Sequence, residues 1–315
     1  MKIWLNISKE SSEQSFDATA DSAKIYEACQ GLGTNEAKII SILCNRPKDH
    51  IIKIVKTYES VYGKSLKDVL KSEISGCFLE LMQQIIMATK NHHAYVIHNA
   101  IKDKELPAVI EVLVQSEEKS ILELKKFYKI VYGKDLESEV LSICNSKDLK
   151  RLLKSLLIGF RDNTVDASRA IEDAKAIFEA GEDRMGTDEL AIHAILATRS
   201  YNHIRLIDNE YKILKSHGLH YAIKNEMSGD LRVGYNLIVA YAVSKGEFFS
   251  RRIKKSIRFL GTNEKMLIRN LVYMREQDIE LTKIEYKNLY GTSLWKDVSG
   301  DVSGDFSASI KALLK

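Results

Sequence analysis

Three segments of the chain place glycine and threonine ahead of a short polar stretch: Gly33-Thr34-Asn35-Glu36, Gly186-Thr187-Asp188-Glu189 and Gly261-Thr262-Asn263-Glu264. One such segment alone is ordinary helix punctuation: a glycine C-cap, a threonine N-cap and an acid in the first turn that follows. Each of the three, however, has a carboxylate forty residues beyond its glycine, at Glu73, Glu226 and Asp301. A fourth segment, Lys102-Asp103-Lys104-Glu105, lacks both glycine and threonine, and forty residues beyond Asp103 stands Ile143. Loop and acid are lost together, which a mere turn does not require, so the two halves belong to one site. The chemistry they suit is that of a hard cation. Calcium takes about six to eight oxygen ligands, among them backbone carbonyls and bidentate carboxylates. Glycine lets several carbonyls turn toward one point because it tolerates φ > 0. Three carbonyls and one bidentate carboxylate supply roughly five oxygens, leaving room for water or a lipid phosphoryl group. With one full charge per site the intrinsic affinity is weak, and a membrane phosphate completes the shell.

The elements that must hold these loops repeat with them. Tyr62-Gly63-Lys64-Ser65-Leu66, Tyr132-Gly133-Lys134-Asp135-Leu136 and Tyr290-Gly291-Thr292-Ser293-Leu294 share one phrase. On these anchors Ile51, Ile121, Ile204 and Ile279 fall into register, as do Tyr58, Tyr128, Tyr211 and Tyr286. The chain is therefore four copies of a unit of about 70 residues. They are assigned to residues 20–90, 91–160, 170–245 and 246–315, with a short tail at 1–19 and a polar linker at 161–169. Within a copy, Ile51, Val55, Tyr58 and Tyr62, and then Phe78, Leu81, Met82, Ile85 and Ile86, recur at helical spacing. No stretch alternates with period two for long enough to argue a strand. Two prolines, Pro47 and Pro107, in 315 residues leave helices almost unpunctuated. The expectation is an all-α chain of four or five short helices per copy. With 45% apolar and 29% charged residues it can bury a large core and is not disordered. No run reaches the ~18–20 uncharged apolar residues of a bilayer span, and the N-terminus lacks a signal-peptide core. The four cysteines form no C-x-x-C pair, which suits reduced thiols in a cytosolic protein. A net charge of +4 permits attraction to anionic surfaces without indicating nucleic acid.

The repeat, the Gly-x-Gly-Thr loop, the acid at +40 and the linker after copy two together resemble an annexin, over about residues 20–315. The resemblance implies an all-α, slightly curved disc of four five-helix repeats whose calcium loops dock on acidic phospholipid. It implies that the first site uses the carbonyls of Cys29, Gly31 and Gly33 with Glu73. The third would use Gly181, Arg184 and Gly186 with Glu226, and the fourth Ile257, Phe259 and Gly261 with Asp301. Phe259 stands where the fourth loop needs its first glycine, and copy two is expected to be empty. The arginine that closes the second helix of an annexin repeat is matched with Arg46, Arg199 and Arg275, and is Ser116 in copy two. That departure weakens any transfer of the family's proposed central ion pathway. The degenerate loops further resemble the alpha-giardins, a divergent protist branch.

Other features point more weakly. Leu32, Met185 and Leu260 lie between the loop glycines or their counterparts and suit either headgroup insertion or simple packing. Arg251, Arg252, Lys254, Lys255 and Arg258 open copy four as a solvated helix face or as an attraction for anionic lipid or sulfated polysaccharide. His92, His93 and His98 have no acid at zinc-site spacing. No nucleophile elbow, phosphate loop, zincin motif or paired catalytic carboxylate stands out, so no enzyme is expected. Two functions remain. One is a calcium-dependent peripheral binder of acidic membranes, cytoplasmic and reversibly on their inner face. The other is a helical-repeat scaffold for cytoskeletal protein or sulfated polysaccharide with vestigial calcium loops.

Overall fold

The computed structural model describes residues 16–257, 261–277 and 279–315. Several of its helices begin where short polar side chains cap them. The Asp17 carboxylate accepts the amides of Thr19 and Ala20 at 2.8 and 3.2 Å and opens the first helix. Copy one forms α1 (Ala18–Ala28), α2 (Glu36–Leu43), α3 (Lys48–Tyr62), α4 (Leu66–Glu73) and α5 (Gly76–Ile86). Copy two forms α6 (Thr89–Lys102), α7 (Leu106–Val114), α8 (Glu118–Tyr132), α9 (Leu136–Ser142) and α10 (Lys147–Ile158). Copy three forms α11 (Ala167–Ala180), α12 (Glu189–Leu196), α13 (Tyr201–Lys215), α14 (Leu219–Glu226) and α15 (Gly229–Val243). Copy four forms α16 (Lys245–Ser256), α17 (Glu264–Arg275), α18 (Ile279–Tyr290), α19 (Leu294–Ser299) and α20 (Gly304–Leu313). No strand occurs among the described residues, only an isolated bridge between Asp162 and Arg199. The chain is thus all-α, with five helices to a copy.

Two compact units divide it. One holds the described residues up to Ile86 together with Ser303–Lys315; the other is Met87–Val302. In the first, α1 lies on α3, and α20 packs on α2 and α5 around Ile25, Ile39, Leu43, Ile51 and Leu81, all fully buried. In the second, α11 lies on α13, α16 on α18, and α15 on α7 and α10. The register read from sequence holds in the packing: Ile51, Ile121 and Ile204 are fully buried, and so are Tyr128, Tyr211 and Tyr286, with Tyr58 nearly so. Ile279 is only partly buried.

The shared Tyr-Gly phrase is a helix stop. Gly63, Gly133 and Gly291 take φ of 63, 68 and 69° at the end of the third helix of their copies, the left-handed cap that glycine adopts without strain. Copy three has Ser216 there at φ 63°. The linker is pinned rather than slack. The Asp162 amide donates to Thr198 O at 2.7 Å. Arg161 donates to the carbonyls of Leu196 and Arg199 at 3.2 and 2.8 Å while its guanidinium lies over Tyr201.

The structure corrects one register. Arg46 and Arg199 each clamp a buried aspartate, Arg46 on Asp21 and Arg199 on Asp173, with the shortest contact 2.7 Å in both. Counted from the loop closures described below, the corresponding pair in copy two is His93 with Ser116, and in copy four Phe249 with Met274. Arg275 therefore lies one residue beyond the position the sequence pattern assigns it. Phe249 and Met274 are both fully buried, so apolar side chains stand where copies one and three have an ion pair.

Candidate metal centre

Each loop between the first and second helices is closed by one backbone hydrogen bond, and its span differs among the copies. The bonds run from Asn35 N to Ala28 O, Glu105 N to Ala100 O, Asp188 N to Ala180 O, and Asn263 N to Ser256 O, at 2.7 to 2.8 Å. Copy one and copy four span seven residues, copy three eight and copy two only five. In copies one, three and four the amide-side residue is also the N-cap: Asn35 accepts the amide of Lys38, Asp188 those of Leu190 and Ala191, and Asn263 that of Met266. Threonine therefore does not cap the second helix, contrary to the simplest reading of Gly-Thr.

Its hydroxyl is used elsewhere. Thr34 Oγ1 donates to Glu73 Oε2 at 2.9 Å and lies 3.2 Å from Glu73 O. Thr187 Oγ1 donates to Glu226 Oε2 at 2.7 Å and again lies 3.2 Å from the main-chain oxygen. The loop and the distant acid are thus joined in copies one and three by the same bond. Glu73 and Glu226 are the last residues of α4 and α14. Gly76 and Gly229, at φ 61 and 55°, then turn the chain into the fifth helix. In copy four α19 ends at Ser299, Asp301 lies beyond it, and Thr262 reaches only Asp301 O, at 3.4 Å. No carboxylate bond joins that loop to its acid among the described residues. Phe259, Leu260 and Arg258 lie outside the described residues.

The residues present fit a calcium ion in copies one and three. Gly31 and Gly33 have φ of 93 and 90° and Gly186 of 80°, and no neighbour lies within 4 Å of a Cβ built on any of them. Among the described residues nothing donates a hydrogen bond to the carbonyls of Cys29, Gly31 and Gly33, or to those of Arg184 and Gly186; Gly181 O accepts from Arg184 N at 3.1 Å. Loop carbonyls without protein donors suit a cation. A Cβ on Gly181 would stand 3.0 Å from Glu226 Cγ, so the acid is folded directly against this glycine. Cys29 occupies the same place in copy one, and burial, then repulsion from Glu73, push its thiol up to about 11. The thiol stays neutral, and only its carbonyl is a candidate ligand. No three His, Cys, Asp or Glu side chains gather anywhere among the described residues. An ion held here relies chiefly on carbonyls.

Around the loops the copies diverge. Leu32 and Met185 are fully exposed, at 109% and 100%, and pack on nothing. Glu182, inside the third loop, accepts the Tyr211 hydroxyl and lies 3.3 Å from His217 Nε2. In copy two, Lys104 takes a left-handed turn at φ 56°, and the loop's acids serve another helix. Asp103 pairs with Lys265 of α17 at 2.6 Å and Glu105 lies 3.7 Å from Arg269. Fully buried Glu111 is shared between Arg269, at 2.6 Å, and Arg252. The basic run that opens copy four is accordingly dispersed. Arg252 is inside the protein on Glu111, and no membrane surface can meet its charge. Lys254 is held by Asp297 at 2.6 Å and Arg251 by Glu247 at 2.7 Å. His92 and His93 pack against Tyr273, and His98 stacks on Tyr132, so none joins a metal cluster.

Loops of this kind, in bundles of five helices, match a known family. The annexin family model matches residues 20–85, 172–236 and 248–313, and the chain belongs to the annexin family. It is 39% identical over 310 residues to annexin A13 of Homo sapiens, covering 97% of this chain and 98% of that one. Among solved structures, annexin III superposes with a TM-score of 0.87 at 31% identity, covering 96% of this chain and 94% of the other. Calcium-bound alpha-14 giardin gives a TM-score of 0.85 at 20% identity, covering 95% of this chain and all of that one, a likeness of fold alone. Annexins generally bind calcium and, through it, phospholipid, and are not enzymes as a class. No helix among the described residues is long and apolar enough to cross a membrane.

Proposed function

We propose that this chain binds acidic phospholipid through calcium held at the first and third loops, with Glu73 and Glu226 as the carboxylate ligands. The observation that carries this reading is the threonine bond that aims each acid into its glycine loop, present at Thr34 and Thr187 and lacking its carboxylate half at Thr262. When bound, calcium supplies a bridge between these oxygens and an anionic phosphate or carboxylate of the lipid. The carbonyls of Cys29, Gly31 and Gly33, and of Gly181, Arg184 and Gly186, complete the two protein-side sets. Leu32 and Met185, bare at the loop tips, enter the headgroup region. Ile257, Gly261 and Asp301 form a weaker fourth set, and copy two takes no part. The repeat boundaries at 20–90, 91–160, 170–245 and 246–315 belong to the same proposal.

Cosedimentation with phosphatidylserine vesicles tests it. Binding is expected with calcium and is released by chelator, and neutral vesicles bind weakly. Glu73→Gln with Glu226→Gln keeps side-chain size and removes the full charge from both sites, so the double variant should lose binding at limiting calcium while remaining folded. Equal pelleting of wild type with calcium and with chelator would falsify the calcium bridge. A scaffold that binds cytoskeletal protein with idle loops would show that behaviour.

A further inference from the structure

We propose that the cleft between α14, α15 and α16 binds a phosphorylated polyol, independently of calcium. The cleft has a volume of about 340 Å³, and Lys224, Arg232, Arg251, Arg252 and Lys255 line it with no acidic side chain among them. That volume lies at the lower end of the range for small-ligand pockets, roughly 300–1,000 Å³. Arg251 and Arg252 are answered by Glu247 and Glu111 from outside the wall, while Lys224 and Arg232 keep the recess positive, and arginine forks suit phosphate oxygens. The remaining lining is Asn236, His220 and apolar side chains.

Two buried groups in this wall lack partners. Arg252 gives its Nη2 to Glu111, which Arg269 also claims, while its Nε is buried with no hydrogen-bond partner. Burial, and then the nearby Arg269, pull the Arg252 guanidinium down to about 9. His220 Nδ1 lies 2.8 Å from Asn236 Oδ1, which assigns the ring proton to Nδ1. Its Nε2 is left buried, 3.6 Å from Glu247 and beyond hydrogen-bond reach. With the ring proton on Nδ1, Nε2 is an acceptor. An acceptor beside a ring of cations calls for a ligand that carries hydroxyls as well as phosphates. The cleft contains neither calcium loop, and the inference does not rest on the membrane reading above.

The test uses the full chain in excess chelator. Inositol trisphosphate is titrated calorimetrically, and vesicles of phosphatidylcholine with a minor share of phosphatidylinositol bisphosphate are pelleted in parallel. Lys224→Ala with Arg232→Ala should weaken the titrated binding about tenfold or more, as expected for two lost charge-assisted contacts. Lys126→Ala with Lys129→Ala, which removes the same charge from the exposed face of α8, should leave it unchanged, as should Glu73→Gln with Glu226→Gln. Cleft-dependent binding in both arms identifies the source as a lipid headgroup; binding of the soluble compound alone identifies a free phosphorylated polyol. Absence of binding in both arms, or equal losses in the cleft and α8 variants, would overturn the proposal.

Discussion

At the residue scale, one threonine hydroxyl joins each well-formed loop to its acid, Thr34 to Glu73 and Thr187 to Glu226. Thr187 spends its one donor on Glu226, so Thr187→Val keeps the side-chain shape and frees the carboxylate to swing. A neutral-to-charged hydrogen bond of this kind is worth about 0.5–3 kcal/mol. The calcium needed for half-maximal vesicle binding should therefore rise at least several-fold, with little change in thermal midpoint. Gly181→Ala should act on the same acid by crowding, since its Cβ would meet Glu226 Cγ at 3.0 Å; an unchanged calcium requirement would count against the placement of Glu226. The pairing of glycine loop and acid was legible in the sequence because copy two had lost both. The role of the threonine was not, because a hydroxyl after glycine reads equally well as a cap, and only the positions of Asn35 and Asp188 settle which residue caps the helix.

At the element scale, helix ends decide what each copy can do. Ser216 ends α13 in the left-handed region, at φ 63°, where the other three copies have glycine. A side chain there costs about 1 kcal/mol relative to glycine, part of which returns as unfolded-chain entropy. Ser216→Gly should raise stability by about 0.5 kcal/mol in urea denaturation, and a loss would show that the serine makes a compensating contact. Asp173, within α11 and facing Arg199 of the α12–α13 turn, is a second case. Burial raises its pKa, but hydrogen bonds from Arg199 and His203 outweigh that and hold the carboxyl below its ordinary value. The stability it contributes is present above the unfolded-state pKa and is lost as pH falls through the lower folded value. Asp173→Asn should flatten the acid limb of the stability curve below about pH 4 and leave the slope near pH 7 unchanged. The pattern of apolar residues gave the helices and their register through Ile and Tyr positions. It missed the slip at Arg275, because loop closure rather than residue type sets where the second helix starts, and α17 carries an arginine one place late.

At the scale of the whole molecule, two well-formed loops lie in separate compact units, Glu73 in one and Glu226 in the other. Each unit should respond to calcium through its own loop. In amide hydrogen exchange with calcium and phosphatidylserine vesicles, Glu73→Gln should abolish the added protection at residues 28–36 while leaving that at 180–188 in place. Loss of both protections from the single change would show that the sites are coupled. Vesicle affinity should behave differently from local protection, because two attachments to one surface multiply rather than add. The single variants should each raise the calcium requirement several-fold and the double variant by more than about tenfold.

The five-residue closure in copy two has a further meaning for how such a chain can change. A lost carboxylate can return by one substitution, and Ile143→Glu would supply it. A loop two residues shorter than that of copy one cannot be lengthened by any point change. Asp103 meanwhile pairs with Lys265 of α17 and Glu105 lies near Arg269, so an insertion that reopened the loop would displace the Asp103–Lys265 pair while Arg269 kept Glu111. A calcium loop in copy two would therefore need an insertion and a carboxylate together, which no single substitution supplies. A graft of the seven-residue first loop onto copy two should keep Arg269, which holds buried Glu111, and should cost about 1 kcal/mol or less through loss of the exposed Asp103–Lys265 pair, read in urea denaturation.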